Sequence, residues 1–423
     1  MARTASHLER RYIAAATIGN ALEFYDFLIY ALFAIQIGHA LFPASTAYGS
    51  LMLSLATFGA GFATRPIGAI VVGRYADRVG RRPAMLLCLV LMGASIAAMA
   101  LIPSYARIGI AAPILAVIAR LVEGFSLGGE VGSNTAFLAE AASPARRGEA
   151  VSWQGASQRM ALITGSLVGV ALTTIMPPPL LAAYGWRIAL LLGAAAVPFG
   201  LWLRAGLPET LHVEESSTPR ESGLAPRQWQ IIVLGLVVLA AWTVHAYIFS
   251  YVVTYAQHTL RLPARAGFVA ELATYALGLP VCVLGGRLSD RYGRWPINVW
   301  SNLAFLAAIF PVFAWIIAAP SAGSLLAGML LLGALSAVAN GSVFAALIEA
   351  LPRAVRSTGF GTIYAVSIAL FGGSTQLVVT WLIHVTGSSM VLAWYLFGAT
   401  AIGQIAIMLF PETAPMRSAC AVG

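Results

Sequence analysis

The sequence predicts an all-α membrane protein with twelve transmembrane helices in two pseudo-symmetric six-helix bundles. Three observations support this fold class. Of the 423 residues, 59% are hydrophobic and only 10% are charged, whereas about 25% are charged in a typical soluble domain. The apolar residues form runs long enough to cross a bilayer. Landmark motifs of the first half also recur in the second.

Breaks rich in proline, glycine and arginine divide the chain into twelve apolar segments of the length that a membrane helix requires. They cover residues 12–38, 47–72, 84–103, 112–138, 150–174, 186–204, 228–257, 267–286, 297–318, 322–349, 358–384 and 388–410. The apolar stretch that follows the N-terminal arginines is interrupted by Glu23 and Asp26 and continues past the first segment to about Phe42, so it is too long and too polar for a cleaved signal sequence. We therefore expect it to be a membrane helix.

One extended polar stretch lies between the sixth and seventh segments, at residues 205–227. It predicts a cytoplasmic linker between an N-terminal bundle, residues 1–204, and a C-terminal bundle, residues 228–423. The loop Gly73–Arg82 returns as Gly286–Trp295, with six of ten positions identical at a constant offset of 213 residues. Repetition of such landmarks in the same order indicates a duplicated six-helix unit.

The distribution of charge predicts the orientation. All 25 basic residues are arginine, and 16 acids leave a formal net charge of +9. If both termini are cytoplasmic, 18 arginines lie on the cytoplasmic side, in agreement with the positive-inside rule. Arginines that interrupt apolar runs do not form the exposed basic face that nucleic acid requires. The sequence thus predicts a multi-pass plasma-membrane protein that contacts lipid and no nucleic acid.

Several enzyme and cofactor classes are excluded by their missing motifs. The three cysteines are far apart and form no metal-ligand spacing. The chain contains no lysine, so it has no complete nucleotide-binding loop, and it carries neither HExxH nor GxSxG. We expect a protein that is not an enzyme and that binds no cofactor or metal.

The loop Gly73–Arg82, with its partial copy at Gly286–Arg294, resembles the signature between helices 2 and 3 of the major facilitator superfamily. Together with the twelve segments and the duplication, this resemblance covers essentially the whole chain. It implies the major facilitator fold, a central cavity near the membrane midplane, and rocking of two halves between inward-open and outward-open states.

Within the superfamily, Gly19–Phe27, Arg65–Ala69 and Arg120–Glu130 resemble the metabolite–proton symporter branch. The stretch Ser152–Gln158 is similar to the fifth helix of citrate and tricarballylate carriers, although Arg159 stands where those carriers are expected to have glutamine. This resemblance implies a symporter of the bacterial inner membrane that uses the proton as its coupling ion. We expect it to function as a monomer.

Substrate-binding candidates follow from the cost of burying charge and polar groups in a membrane. Arg120 is the first choice, because a guanidinium fork binds both oxygens of a carboxylate and keeps its charge. The alternative is a salt bridge to Glu123 that only neutralises two buried charges, and Arg65 and Arg159 have a similar alternative. The full set is Arg120, Arg159, Gln158, Gln154, Asn20, Tyr30, Arg65, Tyr364, Gln376 and Asn340.

Proton coupling requires a group that exchanges a proton at working pH, which a carboxyl removed from water can do. The candidates are Asp26, Glu130, Glu23, Glu123 and His245. Permanent ion pairs are the alternative for the acids, and helix packing is the alternative for the histidine. In the expected scheme, a deprotonated acid competes for the arginine, and protonation frees the guanidinium for a substrate carboxylate.

The repeated loops predict a cytoplasmic gate in which arginines pair with acids at helix ends. Its candidates are Gly73, Asp77, Arg78, Gly80, Arg81, Glu140, Asp290 and Arg291. The alternative is that these arginines only orient the chain in the membrane.

The predicted function is import of a small organic acid anion together with protons, by alternating access. A tricarboxylate such as citrate or tricarballylate is preferred over a dicarboxylate or a shikimate-like acid. A betaine-type zwitterion is the alternative substrate. A membrane sensor that no longer transports is the alternative from another functional class.

Overall fold

A computed structural model of the chain describes residues 17–18, 20–22, 24–25, 29–79, 81–128, 131–132, 135, 138–139, 142–205, 226–351 and 356–414. These residues form helices and connecting turns and no β-strand. Within them, nine helical stretches are long and apolar enough to cross a membrane. The all-α membrane fold class is confirmed. The count of twelve spans stays a prediction, because segments such as 12–38 and 112–138 are described only in part.

The longer described helices are α1 (Ala34–Leu41), α2 (Ala47–Ala63), α3 (Arg65–Val79), α4 (Arg81–Leu101), α5 (Ala111–Leu127), α6 (Arg147–Ile175), α7 (Trp186–Ala205), α8 (Pro226–Thr254), α9 (Ala264–Tyr292), α10 (Arg294–Ala318), α11 (Ala322–Ala350), α12 (Arg356–Ser367), α13 (Gly373–Thr386) and α14 (Val391–Met408). Single π-helical turns adjoin them at Leu181–Gly185, Tyr255–Thr259 and Ile368–Gly372. The last of these links α12 to α13 into one predicted segment.

Local chemistry sets several helix ends. The Thr46 hydroxyl accepts a hydrogen bond from the Gly49 amide at the start of α2, and Ser321 and Ser324 form a reciprocal capping box at the start of α11. Between α9 and α10, Gly293 has φ 103°, which side chains rarely adopt. These caps satisfy backbone groups that a helix end would otherwise leave without a partner.

The outer surface of the molecule is apolar. Ile175, Trp202 and Trp300 are 78%, 72% and 69% exposed, respectively. A soluble protein rarely exposes so many large apolar side chains, whereas a helix in lipid has its backbone polar groups satisfied internally and presents such side chains to the bilayer. Several polar and charged side chains are buried instead, among them Arg120, Glu123 and Glu271, and these are the places where functional groups are expected.

Two antiparallel seams join the helices before residue 206 to those after residue 225. The polar seam is formed by α6 and α9, and its residues are Gly148, Ser152, Gly155, Arg159, Ser166 and Gly169 opposite Gly286, Cys282, Gly278, Tyr275, Glu271 and Phe268. The glycine seam is formed by α2, the third π turn and α13, and its residues are Tyr48, Gly59 and Phe62 opposite His384, Gly373 and Gly372. Both seams bring together residues that are far apart in the chain.

Candidate functional site

Arg120 and Glu123 form a buried ion pair on α5. The Arg120 Nη1 donates to Glu123 Oε2 at 2.7 Å, and the two residues are 1% and 2% exposed. Their spacing of three places them on neighbouring positions of one helix face. The guanidinium carbon also lies 4.7 Å from the Tyr30 ring centre and 5.2 Å from that of Phe58. The cation is thus held by a carboxylate and by two aromatic faces.

Arg65 places a second guanidinium near this pair. It begins α3, is 4% exposed, and its guanidinium carbon lies 4.7 Å from the Phe62 ring centre. It is close enough to interact electrostatically with Arg120 and Glu123, and with two tyrosines of the other group of helices. Among the described residues, this cluster therefore holds two fixed positive charges and one carboxylate.

Gln158 and Tyr364 connect the two groups of helices close to the cluster of Arg65, Arg120 and Glu123. The Gln158 amide nitrogen donates to the Tyr364 hydroxyl at 3.3 Å, from α6 to α12. Tyr364 also packs among the rings of Trp242, Phe344 and Phe360. The structure thus brings together two candidates that are 206 residues apart in sequence.

Arg159 lies in the polar seam. Its Nε donates to the Gly278 carbonyl oxygen of α9 at 3.2 Å. The side chain is buried, and it is close enough to interact electrostatically with Tyr275. The sequence analysis gave an acid as the alternative partner of Arg159. Among the described contacts, its partner is a backbone carbonyl instead.

Asn20 and Gln154 bind each other beside α6. The Gln154 amide donates to the Asn20 side-chain oxygen at 3.3 Å, and the Asn20 amide donates to the Ser157 hydroxyl at 2.7 Å. These hydrogen bonds fix the first segment against α6. Tyr30 is also held, because its hydroxyl donates to the Ser54 carbonyl oxygen at 3.2 Å.

Gln376 and Asn340 are buried within the second group of helices. The Gln376 amide donates to the Ser250 hydroxyl at 3.0 Å and to the Tyr247 carbonyl oxygen at 3.3 Å. The Asn340 side-chain oxygen lies 3.9 Å from Cys282 Sγ. A methyl group added at Gly155 would lie 2.6 Å from that same oxygen, so Asn340 reaches across to α6.

His245 of α8 is placed away from the arginine cluster. Its Nε2 lies 2.6 Å from the Thr400 hydroxyl, and its ring packs against Phe305. It lines a cavity with room for about one water molecule, together with Asn302, Ser336 and Asn340. Of the other proton-coupling candidates, Glu123 is described above, whereas Asp26, Glu130 and Glu23 lie outside the described residues.

Asp290 joins the two groups of helices at one end of the polar seam. Its carboxylate accepts hydrogen bonds from the Gly148 and Glu149 amides at 2.8 and 2.9 Å. These are free donors of the first turn of α6, where a negative charge is also favoured by the helix dipole. Beside this contact, Arg287 donates to Glu149 at 2.8 Å.

Arg294 organises the rest of this end, called the ion-pair end below. Its Nε and Nη2 each donate to Glu349 at 3.1 Å, and its Nη1 donates to Asp290 at 2.7 Å. Arg147 of α6 lies 3.6 Å from the same Glu349 carboxylate. The Glu349 carboxylate of α11 thus joins Arg294 of α10 to Arg147 of α6.

The other gate candidates have different positions. Arg291 places its guanidinium carbon 5.3 Å from the Tyr292 ring centre. Gly73 lies within α3. The side chains of Asp77, Arg78 and Arg81 lie outside the described residues, as do Gly80 and Glu140, so the first copy of the repeated loop stays a prediction.

Contacts also join the two groups of helices at the opposite end. The Gln36 amide nitrogen lies 3.5 Å from the Gln257 side-chain oxygen, the Tyr48 and His384 rings stack at 3.8 Å, and Phe33 packs against Phe268. The two groups of helices are therefore in contact at both ends, with the arginine cluster between them.

Sequence reasoning did not select Glu271, Arg294 or Glu349 as site residues. Glu271 is an acid within the apolar eighth segment, and this placement is itself a signal for a functional residue. Arg294 belongs to the repeated loop Gly286–Trp295, and Glu349 recurs in the second half where Glu140 stands in the first, so both positions carried a usable signal as well. The sequence offered no indication that these two side chains meet each other.

The chain matches the family model of the Major Facilitator Superfamily over residues 16–370. It is 37% identical to the citrate-proton symporter of Klebsiella pneumoniae, over 93% of this chain and 90% of that protein. It is 35% identical to the citrate-proton symporter of Salmonella typhi, over 94% and 93%. The proline/betaine transporter of Escherichia coli K12 is 30% identical, over 97% and 85%.

Solved structures give the same picture of the fold. The crystal structure of a D-xylose-proton symporter matches with a TM-score of 0.77 and 19% identity, over 95% of this chain and 98% of that chain. The human organic anion transporter MFSD10 matches with a TM-score of 0.66 and 19% identity, over 94% and 99%. At this level of identity the likeness concerns the fold alone.

Proposed function

Because the chain belongs to the major facilitator superfamily, we propose that it is a proton-coupled symporter that imports a small organic acid, with a tricarboxylate such as citrate or tricarballylate as its substrate. The observation that carries this proposal is the buried cluster of Arg65, Arg120 and Glu123, in which two guanidinium groups lie beside one carboxyl group. A guanidinium group binds a carboxylate through paired donors, and a charged side chain within a membrane segment is a candidate functional residue. The names of two relatives that cover most of the chain support the choice of citrate.

In this proposal, Arg120 binds a substrate carboxylate in exchange for Glu123. The 2.7 Å ion pair keeps the guanidinium occupied while Glu123 is ionised. A proton on Glu123 removes the charge of the acid and releases the fork, whose paired donors fit both oxygens of a carboxylate. Proton binding and substrate binding then favour each other, as symport requires.

Several neighbours complete the proposed site. Arg65 supplies the second cation, and Gln158 with Tyr364 supplies neutral hydrogen-bonding groups at the junction of the two halves. The further substrate-binding candidates are Arg159, Gln154, Asn20, Tyr30, Gln376 and Asn340. Asp26, Glu130, Glu23 and His245 remain candidates for the coupling proton.

The proposed architecture has two six-helix bundles, residues 1–204 and 228–423, joined by a cytoplasmic linker at 205–227. The ion-pair end is then cytoplasmic, with both termini on that side of a bacterial inner membrane, and the contacts of Asp290 with α6 form a latch. Opening this latch while the opposite end stays closed would give an inward-open state. We propose that one chain performs this cycle as a monomer, without a cofactor and without an enzymatic step.

A betaine-type zwitterion is the second candidate substrate. Aromatic rings surround the cluster, since Phe58, Phe62 and Tyr247 pack against one another beside Arg65 and Arg120. Aromatic faces bind quaternary ammonium groups. A relative named proline/betaine transporter also aligns with nearly the whole chain.

The test is uptake into proteoliposomes with and without an inward proton gradient, using labelled citrate, tricarballylate, succinate and betaine. The proposal expects the gradient to drive accumulation of a tricarboxylate. Accumulation of betaine but of no carboxylate would favour the second candidate. Substrate binding without uptake or counterflow would indicate a sensor and contradict both transport proposals.

Arg120→Lys tests the role of the guanidinium fork in the same assay. Lysine keeps the charge but not the paired donors, and a charge-assisted hydrogen bond contributes about 1.5–3 kcal/mol. We expect the half-saturating citrate concentration to rise by about 10- to 100-fold. Arg107→Lys is the matched control, because Arg107 is exposed. An unchanged citrate concentration dependence in Arg120→Lys would remove Arg120 from the binding site.

A further inference from the structure

Glu271 is a buried acid of the polar seam that the proposed exchange at Arg120 does not use. On α9, Glu271, Tyr275, Gly278 and Cys282 follow each other at spacings of four, three and four, so they lie on one helix face. Gly278 and Cys282 contact α6 directly. The Glu271 carboxyl therefore belongs to the surface along which the two groups of helices meet.

The surroundings of Glu271 contain no counter-ion among the described residues. The residue is 2% exposed, and neither carboxyl oxygen has a hydrogen-bond partner of good geometry. The Ser166 hydroxyl of α6 is the adjacent polar group, and it also has no partner of good geometry. An ionised carboxylate in such a place would lose its hydration without compensation.

Charged and titratable groups on the neighbouring helices face Tyr275 instead. Arg159 of α6 and Tyr247 of α8 both interact electrostatically with Tyr275, which lies one turn from Glu271. The only charged residues of α10 and α11 are Arg294 and Glu349, and both belong to the ion-pair end. Within the described part of the chain, Tyr275 thus interacts both with the Glu271 carboxyl group and with the Arg159 guanidinium.

We propose that Glu271 is a second proton-binding site of the transport cycle, located in the polar seam, and that its carboxyl group is protonated while that seam is closed. The neutral acid is the form that this closed arrangement accommodates, since an ionised carboxylate there would be both dehydrated and unpaired. When the seam opens, water reaches the carboxyl group, and the proton passes from the acid to water or from water to the carboxylate. Closing the seam requires the proton to be bound, so Glu271 couples proton binding to the movement of α6 against α9.

This inference rests on the proposed symport, but it concerns a different residue and a different step of the transport cycle. Glu123 governs whether Arg120 is available to the substrate, whereas Glu271 governs whether the seam closes. A cycle that uses both acids moves one more proton for each substrate than a cycle that uses Glu123 alone.

Glu271→Gln tests the inference in proteoliposomes, because the amide imitates the protonated acid. We expect citrate counterflow, which needs no net proton movement, to stay within about twofold of wild type. One coupled proton corresponds to a factor of ten in accumulation for each unit of pH gradient. Gradient-driven accumulation should therefore fall by about tenfold at a one-unit gradient. The matched control is Thr274→Val, which changes an equally buried neighbour on α9 that is not an acid.

Unchanged accumulation and an unchanged proton-to-citrate ratio in Glu271→Gln would overturn the inference. Absence of citrate transport in the wild-type protein is a separate result, because it would contradict the proposed function without involving Glu271.

A measurement that needs neither transport nor a variant is labelling of the wild-type protein with dicyclohexylcarbodiimide, which reacts with protonated carboxyl groups in apolar surroundings. Mass spectrometry should find Glu271 modified at neutral pH and less modified at alkaline pH. Asp290 serves as the internal control, because its carboxylate accepts hydrogen bonds from two amides and Arg294, and it should stay unmodified. Failure to modify Glu271 at any pH would overturn the inference even if the glutamine variant did not fold.

Discussion

The polar seam and the glycine seam join the same two groups of helices with different chemistry. The polar seam contains Arg159 and Glu271 inside and is fastened at one end by the contacts of Asp290. The glycine seam has no charged residue on α2. There the backbones of Gly59 and Gly373 approach so closely that a methyl group on Gly373 would lie 2.5 Å from the Gly59 Cα atom.

The two seams thus hold the two groups of helices together in different ways, one by close backbone packing and the other by contacts between polar and charged groups. Close backbone packing is independent of proton binding, and small residues permit it in membranes. Contacts between charged groups depend strongly on whether each charge has a partner. We therefore expect proton binding to change the contact between α6 and α9 in the polar seam. The contact between α2 and α13 in the glycine seam should not depend on protons.

The largest expected effect comes from the buried network at the ion-pair end. Glu349→Ala leaves Arg294, which is 1% exposed, without its bidentate partner. Removing one member of a buried ion pair destabilises a protein by about 3–5 kcal/mol, and thermal unfolding in detergent measures the loss.

Glu149→Gln is the control for this variant. It breaks the pair with Arg287, whose side chain is 60% exposed, and an exposed pair contributes about 0–1 kcal/mol. Equal melting temperatures for the two variants would contradict the assignment of the network as buried and cooperative.

Gly373→Ala tests the glycine seam. The added methyl group meets Gly59, so the two helices must separate, and overpacking of this kind costs about 1–3 kcal/mol. The expected result is a lower citrate uptake rate together with a lower melting temperature. Gly398→Ala is the matched control, since a methyl group there meets no atom within 4 Å. If the Gly373→Ala variant took up citrate at the wild-type rate, close contact at this seam would not be required for transport.

Asp290→Asn should give the smallest effect and should act on the polar seam. The amide oxygen can still accept from Gly148 and Arg294, and Arg294 keeps Glu349 as its partner. The variant loses the bond from the Glu149 amide and the charge that faces the first turn of α6, and such a capping interaction contributes about 1 kcal/mol. The seam should then open more often. Maleimide labelling of the buried Cys282 would measure this as a rate increase of about fivefold.

The labelling background is a protein in which Cys88 and Cys420 are changed to serine. A labelling rate in Asp290→Asn equal to that of this background would mean that Asp290 does not hold the seam closed.

Much of the fold was accessible from the sequence. The all-α membrane fold and the superfamily are confirmed, because apolar length and a repeated loop are local properties of the chain. The pairing of the buried Arg120 with an acid was also predictable, since a charge within an apolar segment needs a partner. The partner at position 123 follows from helix geometry alone.

Other features of the site were not predictable. Glu271 was not among the site residues selected from the sequence, yet it lies buried beside Ser166 in the polar seam. It placed Arg159 either at the substrate or beside an acid, and the structure has it bound to the carbonyl oxygen of Gly278. Neither contact has a sequence signature, because the partners lie on helices separated by more than a hundred residues.

By itself, then, the sequence determined which stretches are long and apolar enough to cross a membrane, where a charged residue interrupts such a stretch, and which face of a helix each residue occupies. Those properties follow from hydrophobicity and from the 3.6-residue period of the helix. The tertiary structure alone decided which faces meet: Gln158 with Tyr364, Asp290 with the first turn of α6, and Glu271 with Ser166. The register of two helices is set by close packing along their whole length, at glycines such as Gly148 and Gly286, and no local pattern in the chain encodes that sum of contacts.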